Sequence, residues 1–133
     1  MDRNLKDANL QVTKALPAAG ANNQTDAIDL GAAAPGVSVE NIDLVVSVPA
    51  TASLADTKTH TLKVQDSADG SSFADVSLLA TQTRTGAGGA GAAASNYRWK
   101  LPPSIRRYVR IYQAVEASGG DNTAVSITAG LRF

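Results

Sequence analysis

The side chains best equipped for chemistry in this chain are one histidine, a short series of aspartates, and a stripe of arginines and tyrosines. His60 is the single histidine, and a serine or threonine nucleophile needs such a base beside it. It follows the polar stretch Asp56-Thr57-Lys58-Thr59 at the start of an alternating segment, where the expectation is an exposed strand-edge residue without a catalytic or ligand role. Asp66, Asp69 and Asp75 lie in VQDSADGSSFADV, and paired carboxylates can run acid–base chemistry if one is buried. Their spacing lacks the closing glutamate of a calcium loop, so they read as turn residues, with Asp66 and Asp69 accepting from local backbone amides. The run GAGGAG at 86–91 has no following Lys-Ser/Thr and no βαβ context, which leaves it a flexible loop and not a phosphate cradle. The chain has no cysteine, which removes disulfides, thiolate metal sites and cysteine nucleophiles together. No catalytic set emerges. The expectation is a binding protein that is not an enzyme and uses no metal or other cofactor.

One asymmetry points to a surface. Between Val76 and Val115 there is no acidic residue, whereas Arg84, Arg98, Lys100, Arg106, Arg107 and Arg110 all fall there, interleaved with Tyr97, Trp99, Tyr108 and Tyr112. Arginine with tyrosine and tryptophan is the composition of interface hot spots, because each combines a large contact area with a polar tip. Alternation places Tyr97 and Trp99 on an apolar face and Arg98 and Lys100 on the opposite one. The candidate interface is therefore Arg98, Lys100, Arg106, Arg107, Arg110 and Tyr112. A merely solvated charged face is the plain alternative, and single-stranded nucleic acid is a third. The balance of 12 basic against 12 acidic side chains gives no overall pull towards nucleic acid or an anionic membrane.

The elements that must carry these residues have period two. Ile42, Leu44, Val46 and Val48 share a face, as do Leu62 and Val64; Tyr97, Trp99 and Leu101; Val109, Ile111 and Val115; and Val125, Ile127, Ala129, Leu131 and Phe133. Half-buried antiparallel strands require this alternation. Weaker strands are expected at Leu10–Thr13, Ala27–Leu30 and Phe73–Leu79, and a helical face is sustained nowhere. Asp69-Gly70, Pro102-Pro103, Gly119–Asn122, Pro35-Gly36 and Pro49 punctuate them. About eight strands imply an all-β fold, an antiparallel β-sandwich of jelly-roll type. The division is an extended N-terminal arm at 1–26, ordered only against the domain or a neighbour, and a jelly-roll domain at 27–133. Gly86–Ser95 is expected to be mobile. The N-terminus is charged from its second residue, unlike a secretory signal, and no apolar run approaches the ~20 residues that span a bilayer.

Two segments together carry a resemblance. VQDSADGSSFADV is a strand, a Ser-x-Asp-Gly turn and an aromatic opening the next strand, and LPPSIRRYVRIYQAV runs Leu-Pro, spacer, Arg-Tyr-Val-Arg, strand. A threonine-rich strand and the glycine-rich loop lie between them, AIDLG precedes the strand at 42–48, and the last strand ends in Ala-Gly-Leu. In this order the chain, over Ala27 to Phe133, resembles the small jelly-roll cement, or decoration, proteins of tailed-bacteriophage capsids. The resemblance implies a homo-oligomer, a dimer being favoured, that sits on the outer surface of the virion shell and clamps neighbouring major capsid protein subunits, with no nucleic acid or membrane partner. It brings no catalytic residues and no fixed contact motif. Loss of the residues before Ala27 is then expected to weaken shell binding and leave the domain folded. The same motifs resemble discoidin-like carbohydrate-binding modules, and a small tail or neck protein of a phage is a further alternative.

Overall fold

The structure, a computed structural model, describes residues 11–30 and 42–132. The first ten residues, the Pro35-Gly36 turn and Phe133 lie outside the described residues. Among the described residues ten strands form two antiparallel sheets: β1 (Val12–Ala15), β2 (Asn22–Gln24), β3 (Ile28–Asp29), β4 (Asp43–Val48), β5 (Thr59–Ser67), β6 (Ala74–Asp75), β7 (Gln82–Thr85), β8 (Ser95–Lys100), β9 (Tyr108–Val115) and β10 (Ser126–Arg132). The four-stranded sheet runs β1-β10-β4-β8. In the six-stranded sheet β9 and β5 form the spine, with β2 and β3 sharing the outer side of β9 and β6 and β7 sharing the outer side of β5.

The alternation in the sequence becomes the core directly. Leu44, Val46 and Val48 of β4, Ile127, Ala129 and Leu131 of β10, and Trp99 of β8 are buried from one sheet. Leu62 and Val64 of β5 and Val109, Ile111 and Val115 of β9 are buried from the other. The two inner faces meet as one cluster, which is the architecture of a β-sandwich. Trp99 is fixed by donating Nε1–H to the Ala80 carbonyl at 2.8 Å, so its indole has both an apolar bed and a partner.

Residues 11–26 are ordered against the domain itself. β1 pairs with β10, β2 pairs with β9, and Leu16 and Thr25 are buried. Loss of the residues before Ala27 would remove two strands and a core leucine, contrary to the expectation that the domain would stay folded without them. β2, with the sequence Asn-Asn-Gln, carries no apolar alternation because its inward residue, Asn23, serves a hydrogen bond instead.

That bond belongs to a buried polar seam, and here two expectations are corrected. His60 is not an exposed edge residue but fully buried, because β7 and β9 flank it on both sides. Gln113 donates its side-chain amide to the Ala15 carbonyl and to Asn23 Oδ1, so its Oε1 faces His60 Nε2 at 2.9 Å and that nitrogen carries the proton. His60 Nδ1 is then free to accept from Arg84 Nη1 at 3.4 Å. Arg84, 4% exposed, donates further to Thr51 Oγ1 and to the carbonyls of Pro49, Ala92 and Ala93. The second correction concerns the glycine-rich segment at 86–95, which is not free: Arg84 holds its carbonyls, and Thr51 and Ala92 form a β-bridge. Gly91 lies so close to the 51–52 backbone, at φ +70°, that a Cβ there would overlap the Thr51 carbonyl oxygen.

Burial and the adjacent guanidinium both hold the His60 imidazole below its ordinary value of 6.5, against the opposing pull of its Gln113 bond. The unfolded chain therefore takes up the proton first, so this contribution to stability is complete above about pH 6.5 and is lost as the pH falls below it. With no other histidine in the chain, thermal melting between about pH 7.5 and pH 5 reads this group. The melting temperature should drop on acidification in the native protein and much less in His60→Gln; equal drops in the two would contradict the assignment.

Candidate interaction surface

The six residues expected to form one interface are distributed over both sides of the sandwich. Arg98 and Lys100 stand on the outer face of the four-stranded sheet, because β8 pairs with β4 there. Arg110 and Tyr112 stand on the outer face of the six-stranded sheet, and Arg106 and Arg107 immediately precede β9 at one end of it. The core separates the two groups. Sequence spacing shows which face of its own strand a residue takes, but not which sheet that strand joins.

Arg106 is a tie and not a free contact. Its Nε and Nη2 both donate to Asp66 Oδ1, at 2.9 and 2.7 Å, Nη2 also reaches the Asp66 carbonyl, and its backbone N–H meets Asp66 Oδ2 at 3.0 Å. The bond from Asp66 holds the guanidinium above its ordinary value. This closes the 101–107 connection onto the end of β5. Asp66, expected to accept from local backbone amides, is instead taken by the distant Arg106. Beside it, the Ser67–Ser72 turn is closed by Asp69 as the sequence suggested, its Oδ1 accepting from the Ser71 and Ser72 amides and from Ser67 Oγ. Those bonds, the Ser72 amide foremost, lower the Asp69 carboxyl to about 2. Gly70, at φ +80°, lies against the Tyr108 ring, so the turn backs that side chain.

On the outer face of the six-stranded sheet the aromatic and cationic side chains are arranged in pairs. The Arg110 guanidinium lies 3.9 Å from the Phe73 ring centre, Arg107 lies 5.1 Å from that of Tyr108, and Lys63 lies 5.7 Å from that of Tyr112. Polar bonds join the first and third of these pairs into a strip. Arg110 Nε donates to Gln65 Oε1 at 2.9 Å, Gln65 Nε2 donates to Asp75 Oδ1 at 2.9 Å, and Lys63 is 3.5 Å from Asp75. The Gln65 bond, and Lys63 after it, lower the Asp75 carboxyl. Arg107 forks Asp29 at 2.8 and 3.0 Å. Arg110 has no carboxylate partner among the described residues.

Lys63, Gln65 and Phe73 were not among the residues singled out by sequence. Alternation with the buried Leu62 and Val64 puts Lys63 and Gln65 on the outward side of their strand. Only the β5–β9 register, Lys63 opposite Tyr112 and Gln65 opposite Arg110, joins them to the basic stripe.

The four-stranded sheet presents a different surface. Its register sets Arg132, Asp43 and Lys100 in one row, Gly130, Val45 and Arg98 in the next, and Thr128, Ser47 and Asn96 in a third. Small side chains at the middle of this grid leave a shallow trough, walled by Gln11 over Gly130 on one side and by Arg98 and Asn96 on the other. Arg98 is 3.3 Å from Asp43.

Among the described residues no group of three or more His, Asp or Glu side chains is placed to hold a metal ion. In comparison with known proteins, the family described as Bbp16 matches residues 7–131 of the chain. No curated protein matches it.

Asp66→Ala should leave the Arg106 guanidinium and backbone amide without their acceptor and lower unfolding stability by about 1–3 kcal/mol in a denaturant titration. Arg107→Ala, which breaks a solvent-exposed pair, should leave the denaturation midpoint unchanged within error. The reverse order of effects would contradict the role given to Arg106.

Proposed function

The chain belongs to the Bbp16 family, and for a member with these surfaces we propose a tailed-bacteriophage capsid decoration protein: a jelly-roll domain that binds the outer surface of the shell and clamps neighbouring major capsid subunits. Its place is the exterior of the virion. It acts by binding and catalyses no reaction. The observation that carries this reading is the strip on the outer face of the six-stranded sheet, where Arg110 and Tyr112 of β9 are set against Phe73, Gln65 and Lys63, with Tyr108, beside Arg107, on the same side of that strand.

The strip has the physical properties of a docking face. Tyrosine and arginine are the residues that most often dominate interface energetics. Their side chains are already ordered by stacking and hydrogen bonds, so little rotamer entropy is lost when a partner arrives. Arg110 brings a guanidinium that lacks a carboxylate partner among the described residues, a donor set suited to a carboxylate or carbonyl of a protein surface. A small domain presenting such a face needs only modest area per contact, because a shell offers many equivalent sites and a homo-oligomer, a dimer in this reading, adds the gain of multivalency.

The test is co-sedimentation of the purified protein with expanded, undecorated shells of the source phage. Saturable binding in a fixed ratio to the major capsid protein is expected. The double variant Arg110→Ala/Tyr112→Ala, shown by its melting curve to be folded, should bind at least tenfold more weakly, since two hot-spot truncations together exceed about 1.4 kcal/mol. Failure of folded native protein to bind shells would sink the reading and direct the search to glycans or tail assembly.

A further inference from the structure

We propose that the trough on the outer face of the four-stranded sheet is a second binding site, which takes an extended, carboxylate-rich protein segment. On the decoration reading, on which the identity of the partner rests, that segment belongs to a shell subunit other than the one engaged by the six-stranded sheet.

Three observations carry the inference. The first is charge. Arg98, Lys100 and Arg132 line one end of the trough against a single carboxylate, Asp43, which is already committed to Arg98. Lys100 and Arg132 have no anionic partner among the described residues, and the described residues of this face carry an excess of two positive charges. The second is an unmet donor: Arg132 Nε is shielded from solvent and has no acceptor among the described residues, a state that costs free energy until an acceptor reaches that guanidinium. The third is shape. Glycine, valine and serine at the floor leave the β4 and β10 surface open to an extended chain.

The same observations weigh against a nucleic acid. Single strands are held by aromatic platforms together with a long basic track. Here the charge is confined to one end, and no aromatic ring stands among the outward residues of β4 and β10. A protein segment with acidic residues matches the position of the cations on this face. The two binding faces lie on opposite sides of the core, which is what a clamp between two subunits requires.

The probe is an acetylated, amidated hexaglutamate peptide, titrated into the isotopically labelled full chain and followed by backbone amide NMR at low salt. Saturable shifts confined to β4, β8 and β10 are expected, weakening as salt is added. Arg132→Gln and, independently, the exposed Lys100→Glu should each reduce affinity at least tenfold, whereas Arg110→Ala/Tyr112→Ala should leave it unchanged. Absence of saturable shifts, shifts centred on β9, equal affinity of the Arg132→Gln and Lys100→Glu variants with native protein, or tighter binding of an oligothymidylate of equal charge would each overturn the proposal. So would self-association through this face, read as trough shifts on raising protein concentration without peptide. The shell assay separates the two claims. Peptide binding without shell binding removes the decoration reading and leaves the site; shell binding without peptide binding removes the site alone.

Discussion

A guanidinium enclosed in a β-sandwich without a carboxylate is the constraint around which this molecule is arranged. Arg84 remains charged in any folded protein, and its removal from water must be offset by acceptors, which meet its two terminal nitrogens and leave Nε without a partner among the described residues. Those acceptors are the Thr51 hydroxyl, three backbone carbonyls and a histidine nitrogen. Meeting that demand forces the loop after β7 down onto the loop after β4. It also fixes the tautomer of His60 and, through Gln113 and Asn23, holds β2 and the end of β1 against β9. One buried charge thereby orders the segments that have the least apolar surface of their own. Glycines at 86 and 91 allow the backbones to approach as closely as this requires.

With that end of the sandwich secured, the opposite end is closed by a second, more conventional device. The Asp66–Arg106 fork and the Asp69-Gly70 turn set the level at which β9 leaves its connecting loop. The register of β9 on β5 then determines which side chains become neighbours on the outer face. Tyr108, Arg110 and Tyr112 face outward only because Val109, Ile111 and Gln113 face inward, and a slip of one residue would exchange the two sets. The contact strip is thus a consequence of core packing on the other side of the same strand. The physics that specifies the fold also specifies the face proposed for binding.

Much of the fold was legible because burial on one face of a strand writes itself as alternation. The strand at 43–48, the strand at 108–115 and the final strand lie where alternation places them, and Trp99 is in the core as expected. β2 was not legible, since Asn23 faces inward as a hydrogen-bond partner and so contributes a polar residue where the pattern calls for an apolar one. His60 was misplaced for the same reason: a polar residue at a strand start reads as exposed unless its partners, 24 and 53 positions away, are known. The surface was legible in composition but not in grouping. Arginines clustered in sequence separate onto two sheets, while Lys63 and Phe73, distant in sequence from Tyr112 and Arg110, stand beside them.

The central claim is that the outer face of the six-stranded sheet is the one this protein applies to a capsid. An electron cryomicroscopy reconstruction of shells saturated with the protein tests it most directly. The account requires that the side chains of Tyr108, Arg110 and Tyr112 be enclosed between the domain and the capsid subunits beneath it. Density in which that face points to solvent, with the domain seated by another surface, would contradict it.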